Sequence, residues 1–283
     1  MENSIKINHK PPAALLPSMV DLNQRYQELL AATQDLPPVG SRPITVCGRV
    51  GGWATAEAID CLSQINGVRV TAEALHIAWC DQPDAAINTF LAHIAERLNE
   101  VGLVKAWRNE LLDLVAEGQK VAAIERGAVR PLGLLTQAVH LNAWSPEGKI
   151  WVAKRADNKT TDPGMWDTLV GGLAAADESL ETSLFRETEE EAGLLPAHLT
   201  RLEPMRMLLR MYRRLPEGYQ VENVLVNDCV LDASVIPQNQ DGEVSEVSLL
   251  SIAEWWEMAQ SGAFTLEAEL VLIDSVRLRL KRA

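Results

Sequence analysis

Positive charge is in short supply. Across 283 residues, 26 Lys and Arg face 39 Asp and Glu, a formal net charge of −13 at pH 7. Binding to a nucleic-acid backbone needs a basic surface, so this balance argues against such a partner. Cysteine is scarce as well. The four cysteines, Cys47, Cys61, Cys80 and Cys229, are scattered and form no Cys-x-x-Cys. They read as reduced, mostly buried thiols of a cytoplasmic protein rather than a disulfide framework. The five histidines are equally dispersed, and none pairs with a cysteine at zinc-ligand spacing. No apolar run approaches the roughly 20 residues of a membrane helix. No secretory leader is legible either, because Pro11, Pro12 and Pro17 interrupt the only candidate. What remains is a hydrophobic content of 47% and a charged content of 23%, ordinary values for a globular chain. The length suits two modest domains or one large one.

One stretch carries chemistry. Gly172 to Leu194 reads GLAAADESLETSLFRETEEEAGL. Ser179 to Ala192 lacks Pro and Gly and reads as a helix. Asp177 or Ser179 can cap its start, and Gly193, with Pro196 close behind, stops it. Leu180, Leu184 and Phe185 lie on one side. Glu187, Glu190 and Glu191 share a face, where like charges repel by a few tenths of a kcal/mol per pair. Something must offset that repulsion in a packed helix, and Arg186 or a divalent cation is the candidate. Mg²⁺ favours carboxylate oxygens and keeps several waters, so it can bridge substrate phosphates. A charge run alone reads as a solvated face. The fixed Gly, Glu, Arg and Gly around this one make a composite pattern, which is far more specific.

Elsewhere the pattern is structural. Residues 1–19 read as a loose arm. Val20 to Ala32 reads as a helix, Ile44 to Trp53 as a bent strand, Thr55 to Ile65 as a helix and Val68 to Ala78 as a strand. Asp84 to Glu100 is strongly amphipathic, with Ile87, Leu91, Ile94 and Leu98 at helical spacing. The domain boundary falls near 126–134, giving domains of 1–126 and 127–283. Leu134 to Trp144 and Ile150 to Lys154 read as a hairpin about Ser145-Pro146-Glu147-Gly148. A polar loop, 157–166, and a strand, Thr168 to Leu173, lead to the glutamate helix. Met205 to Arg213 and Val221 to Leu231 read as another hairpin, followed by helices over Ile252–Ser261 and Glu267–Leu280. The order predicts α+β architecture, a mixed sheet packed between helices behind a smaller α+β domain. His140 reads as a satisfied core histidine, and Trp255-Trp256 as packing for the late helix or a dimer contact.

The spacing Gly172, Glu178, Arg186-Glu187, Glu190-Glu191, Gly193-Leu194 resembles the box of the Nudix hydrolase family, Gly-x5-Glu-x7-Arg-Glu-U-x-Glu-Glu-x-Gly-U, where U is bulky and apolar. Thr188, at the first U, is the one departure. The resemblance implies a C-terminal α/β/α sandwich, hydrolysis of a small-molecule diphosphate, and Mg²⁺ as cofactor with Mn²⁺ as a substitute. It implies Glu187, Glu190 and Glu191 as metal ligands or catalytic helpers, with the Gly172 carbonyl as a further ligand. Glu178 and Arg186 would support the box by ion pairing. A downstream acid is expected, Glu243 first and Glu246 in reserve.

The chain is also similar to two-domain Nudix proteins akin to those associated with thiamine pyrophosphokinase. The residues are Trp107-Arg108-Asn109-Glu110, Glu125-Arg126, Val139-His140-Leu141-Asn142, Trp151-Val152-Ala153-Lys154-Arg155, Lys159 and Asp162-Pro163-Gly164-Met165-Trp166-Asp167. That similarity implies thiamine diphosphate, or a damaged derivative, cut to the monophosphate. Lys154, Arg155 and Lys159 are then candidates for phosphate, and Trp166 or Trp107 for stacking on the ring. Nucleotide sugars and dinucleotides are alternative substrates, a ligand sensor is the non-enzymatic alternative, and a homodimer is expected.

Overall fold

The computed structural model describes residues 15–77, 84–159, 161–240 and 242–282. In the N-terminal part the bent strand is a hairpin. Strands β1 (Arg42–Val46) and β2 (Arg49–Ala54) meet at Cys47 and Gly48, both at positive φ. Helix α2 (Ala56–Leu62) follows, its N-cap Thr55 accepting from Ala58 N at 3.3 Å. The expected strand from Val68 also breaks. Thr71 folds back on Ala74 O at 2.9 Å, which divides β3 (Val68–Val70) from β4 (Leu75–Ile77). Ala78, Cys80 and the arm 1–14 lie outside the described residues.

These strands form a sheet ordered β2-β1-β4-β3, with β1 and β4 parallel. Helix α3 (Asp84–Glu100) covers it, burying Leu91, Ile94 and Leu98 against Ile44, Val46, Leu75 and Ile77. A second hairpin, β5 (Leu111–Ala116) and β6 (Gln119–Glu125), adds Leu112, Leu114 and Ile124 to the same core.

The C-terminal part is a mixed seven-stranded sheet between helices, as the element order predicts. Its strands are β7 (Leu135–Trp144), β8 (Ile150–Arg155), β9 (Trp166–Thr168), β10 (Val170–Leu173), β11 (Arg206–Leu215), β12 (Gly218–Val230) and β13 (Val244–Leu250). The order is β11-β12-β7-β8-β13, with β7 and β12 parallel. Strands β7 and β8 pair only at Ala143–Trp151 and Trp144–Ile150. Beyond that they diverge. Strand β10 pairs with β7, β9 pairs with β8, and the chain between them fills the fork. This split positions the candidate site.

Helix α4 (Leu180–Ala192) covers one face through Leu184 against Val139, Leu141 and Val170. Helices α5 (Ile252–Gln260) and α6 (Leu266–Arg282) cover the other, burying Trp255 and Trp256 with Trp144, Val224 and Val226. Helix α1 (Met19–Ala31) joins this second core through Leu22 and Leu29, and Arg25 Nε lies 2.6 Å from Glu269 Oε1.

Residues 126–134 are wedged between the two parts. Trp53 N donates to Gly133 O at 3.3 Å, Thr55 N to Pro131 O at 2.9 Å, and Tyr219 N to Arg130 O at 2.9 Å. Gly133 has φ +55°, and a Cβ there would stand 2.4 Å from Trp53 O, so only glycine lets the backbones approach this closely.

One buried residue works against stability. Asn142 on β7 is fully buried, and neither amide atom has a hydrogen-bond partner among the described residues. Replacing such a group by an apolar one of similar shape removes a desolvation cost, so Asn142→Leu is expected to raise stability by about 1 kcal/mol. Urea denaturation of both proteins checks it, through a higher midpoint at an unchanged slope.

Candidate active site

The glutamate helix begins as its sequence requires. Of the two candidate caps, Ser179 acts, accepting from Thr182 N at 3.0 Å. Gly193, left-handed at φ 63°, closes the helix. Thr188 is buried and its hydroxyl donates to Leu184 O at 2.6 Å. Its polar atom is thereby satisfied on the helix itself, which lets threonine occupy an apolar position.

Arg186 organises the acidic groups. Its Nε donates to both Glu178 carboxylate oxygens at 3.1 and 3.2 Å, and its Nη2 to Leu173 O at 3.3 Å. Its Nη1 donates to Glu187 Oε1 at 2.8 Å and to Glu190 Oε2 at 3.1 Å. Burial pushes the Glu178 carboxyl up, but the Arg186 and Ser183 hydrogen bonds outweigh it and hold it below the usual range. The strand–helix loop is thereby pinned to the helix it precedes.

Glu187 and Glu191 point inward at the Gly171-Gly172 strand. A Cβ on Gly172 would stand 2.1 Å from Glu187 Cδ, so the glutamate packs directly on that backbone. Glu191 is buried and accepts from Gly171 N at 2.9 Å. Burial raises both carboxyls, that of Glu191 strongly, and the Glu187 charge adds to the rise at Glu191. Glu190 is exposed.

Among the described residues no three His, Cys, Asp or Glu side chains already form a cation cage. The donor set nevertheless fits a hard divalent ion. It is all oxygen, and Glu191 is buried with the Gly171 amide as its hydrogen-bond donor and no ion pair among the described residues.

A cleft of about 170 Å³ opens beside Gly171 and Gly172, in the fork between β7 and β8. Four arginines line it. Arg126 pairs with Glu110 at 2.7 Å, Arg130 with Glu222 at 3.0 Å and Arg155 with Asp167 at 2.9 Å. Arg213 lines it without an ion pair or side-chain hydrogen bond among the described residues.

His140 and Glu267 lie on the same wall. The Thr168 hydroxyl donates to Val170 O at 2.8 Å, so it accepts from His140 Nδ1 at 3.0 Å. Nδ1 therefore carries a proton. His140 Nε2 sits 2.7 Å from Glu267 Oε1, a contact that needs a second proton between them. Burial lowers the His140 pKa, but Glu267 raises it more, and burial raises the Glu267 carboxyl. The pair thus presents a shared proton at the cleft wall. His140 has partners for both ring nitrogens, as a satisfied core histidine should, but it is a wall residue too.

The other candidates divide. Arg155 lines the cleft. Lys159 pairs with Glu243, so the downstream acid and this lysine are brought together. Glu246 accepts from Ser248 Oγ at 2.9 Å on the exposed side of β13. Lys154 Nζ lies 6.0 Å above the Trp166 ring, and Trp166 packs against the α5–α6 core rather than lining the cleft. Trp107 Nε1 donates to Asn109 Oδ1 at 2.9 Å, and Trp107 does not line the cleft either. The sequence reading missed Arg130, Arg213, Glu222 and Glu267. They stand on a linker, two strands and a helix, and no local spacing links them.

Residues 135–268 match the family model for the NUDIX domain. This part of the chain is thus similar to a Nudix domain. Nudix hydrolase 24, chloroplastic, of Arabidopsis thaliana is 30% identical over 69% of this chain and 54% of its own length. Nudix hydrolase 20, chloroplastic, of the same plant is 29% identical over 65% of this chain and 50% of its own. The chain spans about half the length of these curated relatives. The first match runs over 201 residues, so it extends outside the Nudix domain. A Deinococcus radiodurans crystal structure is 24% identical, covering 57% of this chain and 97% of its own, with a TM-score of 0.45. Among the described residues no helix is long and apolar enough to cross a membrane.

Proposed function

We propose that the protein is a metal-dependent hydrolase that cuts the diphosphate linkage of a small molecule. One observation carries this reading. Two buried carboxylates, Glu187 and Glu191, press on the Gly171-Gly172 backbone at the edge of an arginine-lined cleft, and Glu191 has no ion pair among the described residues. Glu187, Glu190, Glu191 and the Gly172 carbonyl would hold Mg²⁺ or Mn²⁺. The ion, when bound, neutralises phosphate charge and lowers the pKa of water.

The chain's own groups do the rest. Arginines at the cleft bind and orient the phosphates, and the buried wall limits bulk water. A glutamate accepts a proton from the attacking water, and either Glu187 or Glu243 fits this role. The water oxygen bonds to phosphorus, the bridging P–O bond breaks, and the leaving phosphate departs with the electron pair. Water plus a diphosphate ester thus gives a monophosphate ester and inorganic phosphate.

The finer reading is thiamine diphosphate or an oxidised derivative, cut to the monophosphate. The resemblance at residues 107–110, 139–142 and 162–167 supports it. So does the two-toned cleft, where Glu222, Glu267 and Asp167 offer acceptors to a cationic, amino-bearing ring while the arginines take phosphate. The protein is then expected in an aqueous compartment as a homodimer, divided at about residue 126.

Incubation of the full chain with Mg²⁺ and a panel of diphosphates, with products identified by mass spectrometry, tests both levels. The panel contains thiamine diphosphate, its oxidised forms, nucleotide sugars and dinucleotides. Magnesium-dependent thiamine monophosphate supports the whole reading. Turnover of nucleotide substrates alone keeps the hydrolase and removes thiamine. Binding without any turnover makes the domain a sensor.

A further inference from the structure

The cleft is not built by the Nudix domain alone. Arg126 and Arg130 precede residue 135, where the domain match begins. Their segment is held against β2 by the Trp53–Gly133 and Thr55–Pro131 hydrogen bonds, and against β12 by Tyr219 N on Arg130 O. The β5–β6 hairpin reaches the box as well. Ala176 N donates to Leu111 O at 2.7 Å, and Lys120 pairs with Asp113 at 2.6 Å and Asp177 at 2.5 Å.

Arginine is more abundant here than its visible partners require. Arg126, Arg130 and Arg155 each have a carboxylate. Arg213, beside the β11–β12 turn, has none among the described residues. Arg130 keeps a buried Nη1 with no hydrogen-bond partner among the described residues. A half-buried guanidinium without a countercharge at a cleft invites an anion, and its planar fork suits phosphate oxygens.

We infer that Arg213, together with Arg126 and Arg130 from the segment ahead of the matched domain, forms the clamp for the substrate's phosphate end, so that residues outside that domain complete the active site. The inference rests on the hydrolase reading and names the residues that would give it affinity. Arg213 is the anchor because binding costs it no existing ion pair. Arg126 and Arg130 act from fixed positions, each already oriented by a carboxylate.

The test uses the full chain and inorganic pyrophosphate as probe, with calorimetric titration and steady-state kinetics on whichever diphosphate turns over. Arg213→Met is expected to weaken pyrophosphate about tenfold or more, from loss of charge-assisted hydrogen bonds. KM should rise by a similar factor, with little change in kcat or melting temperature. Arg213→Lys should fall between. Arg201→Met, an exposed arginine in a different cleft, controls for net charge and should change nothing. Arg126→Gln should weaken the probe as well, which tests the N-terminal contribution without breaking the buried Arg130–Glu222 pair.

Unchanged affinity and KM in Arg213→Met overturn the clamp and leave the hydrolase standing. An effect of Arg213→Met without one of Arg126→Gln removes the N-terminal part from it. Pyrophosphate binding that depends on Arg213 in a protein that hydrolyses nothing keeps the clamp and removes the hydrolase.

Discussion

Glu191→Gln should lower diphosphate hydrolysis by about a thousandfold or more while making the metal-free fold harder to melt. Both effects have one source. Glu191 is a buried carboxylate whose hydrogen-bond partner is the Gly171 amide. Burial and the neighbouring Glu187 raise its pKa well above 4.5. A carboxyl whose folded pKa exceeds its unfolded value costs stability once ionised, and the cost grows as pH rises through the folded value. Glutamine keeps the amide contact and carries no charge, so in chelator the variant should gain about 1 kcal/mol. The gain should shrink as pH falls towards the unfolded value, where both proteins are uncharged at this position. Added Mg²⁺ should reverse the ranking. Wild type gains about 2.7 kcal/mol at a hundred times its Kd, and the variant gains little. Melting curves in chelator and in Mg²⁺ read all of this. A variant that melts lower in chelator would show that the charge is compensated within the chain.

Gly172→Ala should cost about a hundredfold in activity with the fold intact. The added methyl would stand 2.1 Å from Glu187 Cδ and 2.3 and 2.5 Å from its oxygens. Something must shift, and the free end of a side chain shifts more cheaply than a paired strand. Gly172 lies in β10 opposite Val139 of β7, in extended backbone that alanine also adopts. The strand therefore stays and the carboxylate moves. Activity assays with circular dichroism and melting should show catalysis lost and stability changed by no more than about 1 kcal/mol. A melting temperature that falls steeply would mean that Glu187 is locked in place and the strand yields instead.

The glutamate helix was legible because everything that defines it is local. Ser179, Gly193 and the apolar Leu184 fix its start, stop and buried face within one segment. Asp84–Glu100 was legible for the same reason, since helical periodicity survives without tertiary context. Short strands fared worse. The Val68 segment reads as one strand because its alternation continues across Thr71, whose hydroxyl turns the chain through a contact three residues away. The β5–β6 hairpin went unassigned because Ala116 and Ala122 carry weak strand signals, and the packing of β5 on β2 and of β6 on α3 decides them. The cleft was the least legible feature. Arg130 meets Glu222 across 92 positions and His140 meets Glu267 across 127. Such pairings exist only once the sheet has split and the linker has docked. Trp166 and Lys154 looked like ligand groups by residue type, but the ring is spent on the α5–α6 core.

The docking of α1 on α6 bears on how the chain matures. The Arg25–Glu269 contact joins positions 244 apart, and Leu22 and Leu29 complete a core whose other members begin at Trp144. During synthesis α1 emerges well before the helix it seats on. It must wait, with an apolar face exposed, until α6 has left the ribosome. Contacts this distant in sequence slow productive closure and lengthen the interval in which the nascent chain is vulnerable to aggregation or to capture by chaperones. Once seated, the helix behaves as a clasp. A cut near residue 126 would leave the C-terminal fragment with an open seam along α6, so the two parts gain their resilience as a single cooperative body.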